Sequence, residues 1–300
     1  MSGIVFGAVA PHGFPLIPDL SADAEGALAT RAALEELGRR CADARPDVLV
    51  VASPHGTRVD GAICLAAVAR AAGRLRWQDR QVELNVPVDL ALTDAIAETA
   101  RAAELPIALA SYAGNRRDQS AISLDWGALV PLWFLGHGRN MVSHGDVLAP
   151  APAHDHGPPV VLVAPSRQLP RTAMVAFGRA VADAAAQDGR RVAFIASCDW
   201  AHTHSASGPY GFHRAAAQAD ALVLQALRAG DPGSLIDMDE DLARDAALDG
   251  LWQALMLAGV LERAPMHGEL LSYEAPTYYG MLVASFMSEG AVNSSIRAAT

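Results

Sequence analysis

The chain reads as an α/β protein: a single domain with a central, largely parallel or mixed sheet flanked by helices, and a site at the strand carboxyl ends. Three observations carry that reading. Apolar runs of strand length recur at 4–10, 47–53, 160–166 and 191–197, bounded by turn residues, which is the pattern of strands buried on both faces. Segments with helical spacing alternate with these runs, as βαβ units require. Histidines follow three of the runs, in Pro11-His12-Gly13, in Ser53-Pro54-His55-Gly56 and at His202 after Asp199. Proline and glycine break a strand and leave the histidine just past its carboxyl end, the edge at which open α/β sheets bind ligands.

Taken in order, the first strand at 4–10 leads through a helix over 22–44 to the second strand at 47–53. Residues 61–70 and 75–88 are ambiguous by periodicity, and the alternation in Gln81-Val82-Glu83-Leu84-Asn85-Val86 favours a strand. A helix is expected over 90–103, with Asp89 placed to cap it, and a short strand over 106–110. Residues 126–135 are apolar enough for a buried helix, interrupted near Pro131. The Gly/Pro/His-rich stretch 136–159 has no period and reads as a solvated loop or lid, with His154 and His156 as adventitious metal binders. The third buried strand, 160–166, is followed by a helix over 171–187 and the fourth strand at 191–197. The rest is expected to be mostly helical through 261, with a closing strand-like segment over 272–286.

At 300 residues the chain is long enough to bury roughly three quarters of its unfolded surface. No stretch of low complexity divides it, so one domain over 1–300 is expected. The formal net charge is −10, and all 23 cationic Lys/Arg side chains are arginine. That balance lacks the electrostatic footprint of a nucleic-acid or anionic-membrane binder. Cys41, Cys64 and Cys198 are too widely spaced for a disulfide framework or a CxxC zinc site, and they suggest a reducing compartment. The N-terminus lacks a basic segment and a small-residue cleavage site, and no run of 18 apolar residues occurs. A cytoplasmic setting is the expectation.

Two histidines at equivalent strand ends point to a shared metal ion. His202, near neutral in its ordinary pKa, suits proton transfer, with Asp199 three residues earlier able to orient its ring. Asp249 lies in an apolar stretch, on the same side as Trp252, Met256 and Val260 at helical spacing. A buried carboxylate needs a partner, which a metal ion or backbone N–H groups supply. Two histidines and one carboxylate make the facial set that suits non-haem Fe(II) and leaves coordination positions open.

Together with Gly208-Pro209-Tyr210-Gly211-Phe212 and the segment from Tyr273 to Gly280, these motifs resemble the class III extradiol ring-cleavage dioxygenase catalytic subunit, the superfamily of the protocatechuate 4,5-dioxygenase beta chain. The match runs in order over nearly the whole chain. It implies Fe(II) held by His12 and His55, with His202 rather than His204 as acid–base. The family's third ligand is a glutamate before a glycine; Asp249-Gly250 matches that place with a shorter acid, and Glu274 is the fallback. Where many members carry Asp-His-Gly, this chain has Asp125-Trp126-Gly127. The implied activity is O2-dependent cleavage of a catechol-type or aminophenol-type ring, with Arg116 or Arg117 to receive a substrate carboxylate. Expected partners are a small aromatic diol, O2 and a second copy of the chain, and in some members a small companion subunit. Two alternatives stay open: a Memo-like protein that keeps the metal-site remnant but binds a peptide or protein, and a zinc-dependent hydrolase using the same pair of histidines and carboxylate.

Overall fold

The computed structural model describes residues 2–138 and 157–288. In chain order its strands are β1 (Gly3–Ala10), β2 (Val48–Ala52), β3 (Ile63–Ala66), β4 (Arg70–Trp77), β5 (Arg80–Pro87), β6 (Ile107–Ala110), β7 (Ala121–Ser123), β8 (Val160–Ala164), β9 (Arg191–Ser197), β10 (His267–Glu274) and β11 (Met281–Met287). The helices are α1 (Leu28–Ala44), α2 (Leu90–Ala102), α3 (Trp126–Leu132), α4 (Arg171–Asp188), α5 (Ala215–Arg228), α6 (Glu240–Asp245) and α7 (Leu251–Arg263).

Among the described residues, eight strands form one sheet in the order β10-β11-β1-β9-β2-β8-β3-β6, and β5-β4-β7 form a second, smaller one. The centre, β1-β9-β2-β8, is parallel throughout. β11 joins β1 antiparallel and β3 joins β8 antiparallel, so the large sheet is mixed. Alternation along each central strand feeds two cores. Val48, Val50 and Ala52 pack with α4 and α7, whereas Leu49 and Val51 pack with α1, α3 and the small sheet. The four parallel strands therefore end on one edge, and the loops after β1, β2, β8 and β9 meet there.

Several boundaries differ from expectation for identifiable reasons. The helix expected from residue 22 starts at Leu28, because Ala24 and Glu25 have φ of +52° and +50° and cannot continue a right-handed helix. The ambiguous stretch 61–88 holds three strands; β4 and β5 form a hairpin closed at Trp77 and Arg80. The closing segment is a second hairpin, with β10 beginning at His267 and residues 275–280 outside both strands. The helix over 126–135 ends at Leu132 and passes into a π-helical turn, Trp133–His137. Asp89 caps α2 as expected, its carboxylate accepting the Leu92 N–H. Of the loop expected at 136–159, residues 139–156, and with them His154 and His156, lie outside the described residues.

Candidate metal centre and cleft

His12 stands two residues past β1, His55 three past β2, and the segment from Cys198 to His202 directly follows β9. Because these strands are neighbours in the order β1-β9-β2, their ends bring the groups together. Asp249 arrives from elsewhere. It does not lie on a helix with Trp252 and Val260, as the spacing suggested, but in the turn before α7. α6 stops at Asp245, and Ala247, at φ +48°, turns the chain so that Asp249 precedes the new helix. One ligand atom from each of His12, His55 and Asp249 falls within 4.8 Å of the others. The two imidazole Nε2 atoms are 3.1 Å apart, and Asp249 Oδ2 is 3.6 Å from His12 Nε2 and 3.7 Å from His55 Nε2.

The hydrogen-bond network selects the tautomer of His12. Pro131 has no N–H to give the carbonyl of Gly127 four residues back, and the Ser197 hydroxyl donates to that carbonyl instead. With its one proton committed, Ser197 Oγ accepts from His12 Nδ1–H at 2.9 Å. His12 Nε2 is then a bare lone pair, directed at His55 and two carboxylates. Asp199 Oδ2 lies 3.3 Å away, and its Oδ1 accepts the His12 backbone N–H at 3.0 Å. Burial holds His12 well below the usual histidine pKa, with the charges of His55 and His202 adding to the effect, so protonation is not what reconciles these groups. Asp249 Oδ2 is buried without a hydrogen-bond partner, while its Oδ1 accepts from Arg167 Nη2. Lone pairs converging on an orphaned buried carboxylate oxygen form a donor set that fits a cation. Asp199, expected to orient His202, instead serves His12.

His202 is held differently. Its Nδ1 lies 2.7 Å from the Trp200 carbonyl and 3.2 Å from that of Ala247. Carbonyls only accept, so Nδ1 carries the proton and Nε2 is the basic nitrogen. Burial lowers the His202 pKa, which keeps the ring neutral at physiological pH. Tyr279 stacks on it at 5.5 Å and Tyr210 meets it edge-on at 5.7 Å. His204 takes another part, pairing with Asp220 at 2.8 Å beside the Tyr273 hydroxyl.

A cleft of about 800 Å³ is lined by His55, His202 and Asp249 together, with Trp126, Arg58 and Arg167. Trp126 stacks on His55 at 4.2 Å between ring centroids and takes the wall position where an imidazole was expected. Glu274 is remote from this cluster: its carboxylate accepts from the Thr30 N–H at 2.6 Å and the Thr30 hydroxyl at 2.7 Å, capping the first turn of α1. Arg116 pairs with Asp118 and Arg117 with Asp94, both exposed, and neither lines the cleft. Arg167, Ser197 and Tyr279 were not singled out in the sequence. Arg167 carried a weak signal, since it lies at the end of an apolar strand as His12 and His55 do.

A protein of Clostridium acetobutylicum, Protein CA_C1420, is 25% identical over 268 residues, covering 88% of this chain; the chain spans only 53% of that relative's length. The crystal structure of uncharacterized protein JW3007 from Escherichia coli K12 superposes with a TM-score of 0.59 at 16% identity, over 94% of this chain and 99% of that one, a likeness of fold. Residues 8–284 match the family described as the catalytic LigB subunit of aromatic ring-opening dioxygenase, and the chain belongs to that family.

Proposed function

We propose that this protein is an Fe(II)-dependent extradiol dioxygenase acting on a catechol-type or aminophenol-type ring. The observation that carries the reading is the convergence of the buried His12 with His55 and the unpartnered Asp249 Oδ2, the last two residues lining the cleft that His202 also lines. In this reading the two Nε2 atoms and Asp249 Oδ2 hold the metal, with Arg167 keeping the second carboxylate oxygen occupied. When bound, the metal would lower the pKa of a substrate hydroxyl and bring the ring and O2 together.

His202 Nε2 takes the proton released by that hydroxyl and returns one to the product. The backbone carbonyls at Nδ1 stabilise the imidazolium formed in between. Trp126 and Tyr210 line the cleft with aromatic surface that orients a flat substrate. The ring C–C bond beside the hydroxyl pair breaks and both atoms of O2 enter the product, so no further reductant is needed. Cys41, Cys64 and Cys198 are buried and free, which suits the cytoplasmic setting included in this proposal.

The test is metal analysis of protein purified without air, joined to O2 uptake with a panel of catechols and aminophenols. Near-stoichiometric iron, with uptake and a yellow ring-opened product, is the expected result. Zinc, or no uptake after Fe(II) loading, would overturn it in favour of a hydrolase or a binding protein.

A further inference from the structure

The buried stripe of α5 carries one acid. Asp220 shares that stripe with Ala216, Ala219, Val223 and Leu227 and is 2% exposed, outside the cleft and the metal centre. Taking a carboxylate out of water is costly, and a well-packed apolar side chain in its place is often neutral or better for the fold. A charge kept at such a position is expected to do more than pack.

Its partners show what that is. Oδ2 accepts from His204 Nε2 at 2.8 Å and from the Tyr273 hydroxyl at 2.7 Å, which anchor the carboxylate between the loop after β9 and β10. Gly280 makes this seat possible, since a Cβ there would overlap Oδ2. Oδ1 is left to accept the backbone N–H of Ala201 at 3.0 Å.

That N–H belongs to the same peptide unit as the Trp200 carbonyl, which takes the Nδ1–H of His202 at 2.7 Å. A trans peptide is planar, with its N–H and C=O pointing in opposite directions. Holding the N–H toward α5 therefore aims the carbonyl at the His202 ring. The flanking peptides are pinned as well. The Trp200 N–H donates to the Gly280 carbonyl, and the Ala201 carbonyl accepts the Gly280 N–H, each at 2.9 Å. The unit also transmits charge, because a carboxylate on the N–H polarises the amide and strengthens its carbonyl as an acceptor. Trp200 and Ala201 are both 0% exposed, so water cannot take over either bond.

We propose that Asp220 is a positioning residue for His202, acting through the Trp200–Ala201 peptide to hold the ring proton on Nδ1 and leave Nε2 basic. The proposal rests on the reading of His202 as proton carrier and adds the group that sets its tautomer from behind the backbone. Carboxylate, amide and imidazole form one hydrogen-bonded chain.

Asp220→Asn is the test, since its amide oxygen can still accept the Ala201 N–H but carries no charge. The full chain is isotope-labelled at histidine and loaded with zinc, a diamagnetic metal, for NMR. The His202 Nδ1–H is assigned by its loss in His202→Ala. In wild type this proton should lie downfield and exchange slowly with solvent. In Asp220→Asn it should move upfield and exchange roughly tenfold faster, as a charge-assisted bond gives way to a neutral one. With a ring-diol substrate kcat should fall by roughly 10- to 100-fold, the usual cost of removing a partner one layer behind a functional histidine, while KM and metal affinity change little.

Tyr273→Phe separates this role from packing. It removes a donor from Oδ2 and should lower the urea midpoint, yet it leaves the Ala201 N–H bonded, so the proton signature and kcat should hold. Should Asp220→Asn not fold, Gly280→Ala keeps the charge and forces the carboxylate off its seat, with the same change in signature expected. An Nδ1–H unmoved in whichever of these two variants is used, or moved equally in Tyr273→Phe, overturns the proposal. If wild type opens no catechol, the dioxygenase reading fails, and the proton signature alone decides the role of Asp220.

Discussion

His202 gets its basicity from the backbone. Two carbonyls hold the proton on Nδ1, and burial lowers the pKa, so the ring is neutral and Nε2 is free. A base must be unprotonated to act, so kcat/KM falls as the pH drops through that lowered pKa. The acid limb of the profile should therefore lie below about 6.5, the ordinary histidine value. His202→Ala should lower kcat by roughly 10²–10⁴-fold and remove that limb while metal binding is retained. A variant with wild-type turnover would exclude His202 as the proton carrier. The two acids raised for the third ligand also part at this scale. Asp249→Ala should abolish near-stoichiometric metal binding. Glu274→Gln should leave the metal in place and cost about 1 kcal/mol in urea unfolding, the usual worth of a helix cap. Metal loss in Glu274→Gln with retention in Asp249→Ala would reverse the assignment.

At the scale of elements, the placement of Asp249 depends on how closely α7 approaches α4. A Cβ on Gly178 would overlap the Met256 carbonyl, and one on Gly259 would overlap the Val175 carbonyl, so the two backbones meet glycine to carbonyl on both sides. That approach sets where α7 begins, and Asp249 sits two residues before its first turn, where the positive end of the helix dipole favours a carboxylate. Gly259→Ala should destabilise the protein by about 1–3 kcal/mol, the usual cost of overpacking, as read from the shift in urea midpoint. The same variant should bind Fe(II) more weakly, because displacing α7 displaces Asp249. An unchanged midpoint would mean that the two helices separate freely. Pro131 works over a similar range. By leaving the Gly127 carbonyl open it engages the Ser197 hydroxyl, and that engagement sets the proton on His12.

For the whole molecule, the centre draws on segments far apart in the chain, His12 and Asp249 standing 237 positions from one another. Such a site exists only when the fold does, so metal binding stabilises the folded state by mass action. At a free-metal concentration a hundredfold above Kd the gain is about 2.7 kcal/mol, which should appear as a rise of several degrees in Tm. His12→Ala should abolish the rise. A metal-induced shift that survived in His12→Ala would place the ion elsewhere. No helix among the described residues is long and apolar enough to cross a membrane.

By itself the sequence determined the α/β class, the four central strands and the position of three histidines at their carboxyl ends. Strand-length apolar runs closed by proline and glycine are local signals, and they survive folding unchanged. It also marked Asp249 by its apolar surroundings, while the preference for His202 over His204 came from the family resemblance. The tertiary structure alone decided the rest. Asp199 turned to His12 and left His202 to the backbone, because the loop after β9 passes beside the end of β1. Glu274 became a cap for α1, and Arg116 and Arg117 found acids at the surface. Arg167 entered through the end of β8, the strand beside β2. Each of these outcomes depends on which strand lies next to which. A parallel sheet whose order departs from chain order assigns its neighbours through long crossovers, and no local pattern of residues records them.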